Sequence, residues 1–122
     1  MSKNLVFSSA SELIRVPADA VVYISADGNY SSIHLADGSE YVLTVQLGQM
    51  EKRISEMLDD SDENNFIRIG KSLIINQEFI TQINPARQKL TLSDCRGFRH
   101  ELAASRDALK ILKEFIEKET LL

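Results

Sequence analysis

Polar and basic side chains interrupt the apolar segments of this 122-residue chain at three widely separated places. Residues 27–31, 70–72 and 104–106 each carry Asn, Lys, Ser or Arg between runs of apolar residues. Side chains of these types hydrogen-bond to the edges of bases and to the phosphate oxygens of nucleic acids. Each segment taken alone has the composition of an ordinary turn, so the indication of nucleic-acid binding comes from the three together.

Signals for enzymatic chemistry or metal binding are weaker. Residues 70–72, Gly-Lys-Ser, resemble the end of a phosphate-binding loop, but Asn65 stands where that motif needs its first glycine. His34 and His100 have no cysteine or acidic residue at metal-ligand spacing, and the acidic run 59–63 lacks the pattern of a calcium loop. The sequence shows no set of a nucleophile, a base and an acid that could form a catalytic site. The sequence therefore predicts no enzyme, cofactor, metal site or small-molecule substrate.

The charges are unevenly distributed along the chain. The net charge is −4, which is unfavourable for binding a polyanion. Residues 51–67 carry six acidic and two basic side chains, whereas residues 68–106 carry seven basic and three acidic ones. Because charge interactions are screened over about 8–10 Å, a locally basic face can bind DNA although the total charge is negative. The charge pattern permits nucleic-acid binding without requiring it.

The composition is that of a soluble globular domain, with 43% hydrophobic and 26% charged residues. No run of about 20 apolar residues could span a membrane, and the N-terminal segment has no apolar core of signal-peptide length. The single cysteine, Cys95, excludes an internal disulfide. We therefore expect a cytoplasmic protein that makes no membrane contact and folds as one domain over residues 1–122.

Short strands dominate the predicted secondary structure. Helical spacing of apolar residues predicts only two helices, at 46–58 with Thr44 as N-cap and at 105–119 with Ser105 as N-cap. The pair Asp37-Gly38 is a strong hairpin signal between two strands. Nine strands are predicted, at 13–16, 21–24, 30–35, 40–43, 66–69, 73–75, 80–83, 89–92 and 98–102. The alternation of strand and helix typical of a parallel sheet is missing, so we predict a mainly β fold of antiparallel sheets, as a sandwich or barrel.

Four elements occur in an order and spacing that resemble a known family. The segment 66–76 reads Phe-Ile-Arg-Ile-Gly-Lys-Ser-Leu-Ile-Ile-Asn. A β-rich run at 22–30 and a helix at 47–58 precede it, and the pair Ser105-Arg106 follows. Together they are similar to the LytTR domain, the DNA-binding module of many response regulators in bacterial two-component systems. The resemblance covers about residues 13–112.

The resemblance implies an elongated arrangement of antiparallel sheets whose loops enter successive major grooves of double-stranded DNA. By the positions that match, it implies contacts with bases at Asn29, Ser31, Lys71 and Arg106. It implies contacts with phosphates at Gln46, Ser72 and Ser105. Arg68 and Asn76 match signature positions that we expect to hold local structure. The resemblance also implies tandem binding to direct repeats in promoters, while pairing of the C-terminal helices in a homodimer on DNA stays an alternative.

Two departures from the family pattern bear on function. Gly70 stands where the family usually has His, and Lys71 keeps a positive charge without the two-pronged geometry of arginine. LytTR domains commonly follow a receiver domain, whereas about a dozen residues precede the first matched strand here. The chain is then a stand-alone regulator, which Met1 weakly favours, or a part of a longer protein. The competing hypothesis is a protein-interaction or dimerisation module of a regulator that has lost DNA binding.

Overall fold

The computed structural model describes residues 3–58 and 64–120, so the predicted acidic loop at 59–63 lies outside the described residues. Contacts divide the chain into two compact units, Met1–Gln77 and Glu78–Leu122. No helix within the described residues is long and apolar enough to cross a membrane.

The described residues of the first unit form one α-helix, one 3-10 helix (Ala18–Ala20) and seven strands in two antiparallel sheets. Its elements are β1 (Asn4–Ser8), β2 (Leu13–Pro17), β3 (Val21–Asp27), β4 (Tyr30–Leu35), β5 (Glu40–Leu43), α1 (Leu47–Met57), β6 (Phe66–Ile69) and β7 (Leu73–Asn76). Strands β1 and β2 form a hairpin, and the others form a five-stranded sheet in the order β5-β4-β3-β7-β6. Strand β3 lies at the centre of that sheet, paired with β4 and β7.

The core of the first unit forms between the β1–β2 hairpin, α1 and one face of the five-stranded sheet. Alternation in β1 buries Leu5 and Phe7 and leaves Val6 partly exposed, as a strand with one covered face requires. Helix α1 buries residues at helical spacing, and the sheet contributes apolar residues from its central strands. The α1 residues are Leu47, Met50 and Ile54, and the sheet residues include Ile24, Ile33 and Ile74.

The second unit is a three-stranded antiparallel sheet with one helix. Its elements are β8 (Ile80–Asn84), β9 (Lys89–Ser93), β10 (Arg99–Ala103) and α2 (Arg106–Thr120), and the strand order is β10-β9-β8. Helix α2 packs against β8 and buries Leu109 and Leu112. In the β9–β10 turn the Asp94 carboxylate accepts the backbone N–H groups of Gly97 and Arg96, which lowers the pKa of Asp94 below its usual value.

The predicted mainly β fold with antiparallel sheets and two helices is confirmed. The barrel alternative was wrong for the described strands, because edge strands such as β5 and β6 each have one partner and the sheet stays open. Strand β1 was missed. Thr44 was wrong as the N-cap of α1, because Gln46 occupies that position with an extended backbone, φ −71° and ψ 153°. Ser105 is the N-cap of α2, where its Oγ accepts the N–H of Ala108 at 3.2 Å.

Candidate nucleic-acid interface

Three connections lie at the same end of the five-stranded sheet. Ser25, near the end of β3, pairs with Ser32 early in β4 and with Leu73 at the start of β7. Ser31 in turn pairs with Leu43, the last residue of β5. The β3–β4 turn, the β6–β7 loop and the β5–α1 connection therefore share one end of the sheet. We call this the loop end, and it consists of residues 28–29, 44–46 and 70–72.

The β3–β4 turn presents Asn29 at its tip. Asp27 pairs with Tyr30, so the turn contains two residues, and Gly28 supplies the positive φ of 62° that such a tight hairpin needs. The exposed Asn29 side chain accepts a hydrogen bond through its Oδ1 from Nε2 of Gln46, at 3.4 Å. Two residues predicted to contact DNA, seventeen positions apart in sequence, are thus brought side by side.

The β6–β7 loop presents Lys71 and Ser72, both exposed. The N–H of Ala26 in β3 donates to the carbonyl of Ser72 at 2.9 Å, which ties the loop to the central strand. Arg68 holds the loop from the other side, since its Nη2 donates to the carbonyl of Lys71 at 3.4 Å. The Lys71 ammonium makes no ion pair with any residue that the structure describes. The backbone of this loop is fixed while its cationic side chain remains available.

Arg68 also links the loop to α1. Its Nη1 lies 3.3 Å from Oε1 of Glu51, so the guanidinium joins β6, the β6–β7 loop and α1. Asn76 has a comparable role inside the unit, where its buried Nδ2 donates to the carbonyl of Val21 at 2.8 Å. The prediction that Arg68 and Asn76 hold local structure is therefore confirmed.

Helix α1 begins at the loop end with its N-terminus. Gln46 at the N-cap position makes no side-chain capping bond, and its carbonyl accepts the N–H groups of Gln49 and Met50. The first N–H groups of a helix have no partner within the helix and carry partial positive charge, which favours a phosphate group nearby. Sequence reasoning missed this feature because it placed the N-cap two residues earlier, at Thr44.

Ser31 differs from the other predicted contact residues because it is fully buried. Its hydroxyl donates to the carbonyl of Val45, which fastens the start of β4 to the connection before α1. The structure gives Ser31 a supporting role at the loop end, and its burial does not favour the DNA contact predicted for it. Tyr30, beside Asn29 and half exposed, was not singled out from the sequence and adds an aromatic side chain to this end.

Ser105 and Arg106 belong to the second unit, at the start of α2. The Ser105 hydroxyl oxygen accepts the capping hydrogen bond from Ala108. Its O–H group can still donate to another acceptor. Arg106 is the first residue of α2 and is exposed. Its guanidinium makes no ion pair with a residue in the described parts of the chain. Both residues are chemically able to meet phosphate or base edges.

His34 has a structural environment. Its ring stacks on Tyr23 with the ring centroids 4.1 Å apart, and its Nε2 lies 3.2 Å from Oγ of Ser25. Burial raises the pKa of the Tyr23 hydroxyl, and the nearby Glu40 carboxylate adds to the effect. No cluster of three metal-binding side chains occurs among residues 3–58 and 64–120.

Gly70 in the β6–β7 loop has a left-handed backbone, and this gives a prediction about stability. Its φ is +60°, where an L-residue is strained, although an added Cβ would meet nothing within 4 Å. We expect Gly70→Ala to lower the free energy of unfolding by about 1–2 kcal/mol. Urea denaturation measures the effect.

Gly97 provides the matched control for Gly70. An added Cβ also meets nothing there, and Gly97 does not have the left-handed backbone of Gly70. Gly97→Ala should leave stability unchanged or raise it by about 0.4–1 kcal/mol. Equal losses for the two alanine variants would contradict the strain argument.

Known proteins share this sequence pattern and this fold. The sequence model of the LytTR family, described as the LytTr DNA-binding domain, matches residues 11–117. Among solved structures, the LytTr DNA-binding domain of a response regulator from Bacillus cereus is similar in fold, with a TM-score of 0.62 and 20% sequence identity over 95% of this chain and 97% of that one. No curated protein matches the chain. Because the family match spans most of the sequence, the chain belongs to the LytTR family of DNA-binding domains.

Proposed function

We propose that the chain is a sequence-specific regulator of transcription that binds repeats in double-stranded promoter DNA and acts without catalysis. The observation that carries this proposal is the loop end, where exposed Asn29, Gln46, Lys71 and Ser72 lie together beside the N-terminus of α1. Family membership supports it, because LytTR is a DNA-binding family.

The residues of the loop end divide by chemistry. Lys71 and Asn29 are proposed to read base edges in a major groove, since lysine donates to guanine and asparagine pairs with adenine. Gln46 and Ser72 are proposed to bind phosphates, assisted by the partial positive charge at the start of α1. Phosphate contacts fix the register of the protein, and base contacts supply the discrimination.

Ser105 and Arg106 are proposed as a further contact region, supplied by the second unit. Ser105 would bind a phosphate and Arg106 a base edge. The family match extends from residue 11 to residue 117 and so includes parts of both compact units. This supports treating the chain as one DNA-binding module with contacts from both compact units.

Selection from random duplex DNA tests the proposal. We expect an enriched sequence motif that recurs as spaced repeats, bound with an affinity that falls at least tenfold as salt rises from about 50 to about 200 mM. Arg106→Ala should weaken binding of the enriched site about tenfold. Arg15→Ala, an equal loss of charge in β2, should leave it nearly unchanged. Recovery of no motif by folded protein would overturn the proposal.

A second candidate function is a protein-interaction module that has lost DNA binding. The negative total charge and Gly70 at the family's histidine position favour it. It predicts that neither the parent chain nor Arg106→Ala or Lys71→Ala gives a specific DNA mobility shift, whereas the regulator proposal predicts a shift by the parent that both variants weaken.

A further inference from the structure

Helix α2 carries a second apolar stripe besides the one that faces its own sheet. Leu109 and Leu112 are buried within the unit, whereas Ile111 and Phe115 are 69% and 40% exposed. Ile111 has the largest exposed fraction among the exposed large hydrophobic residues of the described chain. Residues four apart on a helix share a face. Ile111 and Phe115 therefore form a continuous apolar surface that the described residues leave uncovered.

Two opposite charges extend this stripe. Asp107 lies four residues before Ile111, and Lys118 lies three residues after Phe115, so all four side chains are on one side of the helix. Asp107 and Lys118 are exposed and make no ion pair with another residue in the described ranges. The stripe thus reads acidic, apolar, apolar, basic from the start of α2 towards its end.

We propose that a second copy of this chain covers the stripe, with the two α2 helices antiparallel. In that arrangement Ile111 packs against the partner's Phe115, and Asp107 faces the partner's Lys118. The Ile111–Phe115 pair and the Asp107–Lys118 pair can form together, because the midpoint of each pair of positions lies near residue 113. Two-fold symmetry makes every contact occur twice. A parallel arrangement would instead place each charged side chain opposite the same residue of the partner, so that like charges would meet.

The strength of this pairing follows from its size. Two large apolar side chains per copy make a small contact, and the charged pairs are exposed and screened. Glu114 lies near the centre of the pairing, close to the partner's Glu114. Repulsion between the two carboxylates weakens the dimer further. The dimer therefore dissociates at micromolar concentration and forms when two copies are held close together, as on two inverted DNA sites.

The pairing leaves the proposed DNA contact on α2 free. Arg106 precedes Ile111 by five residues, which places it about 140° away around the helix. The proposed dimer therefore neither buries Arg106 nor depends on it. Two copies related by a two-fold axis read inverted repeats, whereas copies bound independently in tandem read direct repeats.

Sedimentation of the whole chain without DNA tests the inference separately from DNA binding. We expect reversible dimerisation with a Kd of about 0.1–1 mM, and no dimer over the same concentrations for Ile111→Ser or Phe115→Ser. Leu13→Ser is the matched control, since Leu13 in β2 is 61% exposed, and it should dimerise as the parent does.

Charge reversal gives a readout that a purely structural role of α2 would not produce. Asp107→Lys and Lys118→Asp should each weaken the dimer about fivefold or more, and the double variant should recover it to within about twofold. Circular dichroism confirms that each variant is folded. A parent chain that stays monomeric up to about 1 mM, or a double variant no better than the single ones, would overturn the inference.

Discussion

Lys71→Ala should weaken binding of the selected DNA site by about 5- to 150-fold, the equivalent of about 1–3 kcal/mol for one base-reading contact. The structure gives the reason, because the Lys71 backbone is held by Arg68 and the β6–β7 loop is tied to β3, while the ammonium is exposed without an ion partner in the described chain. Mobility-shift titrations of the parent and variant on the same duplex measure the loss.

The non-specific affinity of Lys71→Ala and the variant Lys71→Arg show what kind of contact Lys71 makes. If Lys71 reads a base, Lys71→Ala lowers specific affinity more than non-specific affinity. If it binds only phosphate, both affinities fall alike and the salt slope drops by about 1. Lys71→Arg should retain or tighten binding, because arginine adds a rigid fork of donors. Arg15→Ala is the charge-matched control, and an equal loss in that variant would contradict the assignment.

Phe7→Ala should lower the free energy of unfolding by about 3–5 kcal/mol, the largest change expected here for a single side chain. Phe7 is 2% exposed and belongs to the core cluster of the first unit together with residues of α1 and the large sheet. Truncation removes a buried ring and leaves a cavity that surrounding strands can close only in part. Urea denaturation followed by far-ultraviolet circular dichroism measures the change, since the chain has no tryptophan.

Val6→Ala is the control for Phe7. Val6 neighbours Phe7 in β1 but points to the other side of the strand and is 39% exposed. Its backbone N–H donates to Sδ of Met57 in α1, a contact that the substitution leaves in place. We expect a loss of about 1 kcal/mol or less. Equal losses at the two positions would mean that β1 does not contribute to the core as described.

Most strands were predictable because each has its own local signal. Alternation, β-branched residues and turn residues such as Asp37-Gly38 mark nine of the ten strands. Strand β1 has the same alternation, with Leu5 and Phe7 buried, yet no glycine, proline or Asp-Gly pair separates it from β2. Its burial depends on β2 and α1, and that is a tertiary effect which a short segment does not reveal.

The polar loops at the loop end were predictable from composition, but the way they lie beside one another was not. The hydrogen bond between Asn29 and Gln46 depends on the register of β4 against β5, which brings two distant turns together. The burial of Ser31 had a signal in the sequence that was overlooked. Ser31, Ile33 and Leu35 are spaced by two along β4, so a serine in that series belongs to the covered face.

The hydrogen bond from Arg68 to the Lys71 carbonyl has a thermodynamic consequence. A loop whose backbone is already ordered in the free protein loses little chain entropy when it meets its partner. We therefore expect the proposed DNA contact of this loop to resemble the docking of a preformed surface. The heat-capacity change of association should then reflect the area removed from water at the contact, without the larger contribution that accompanies folding of a disordered segment.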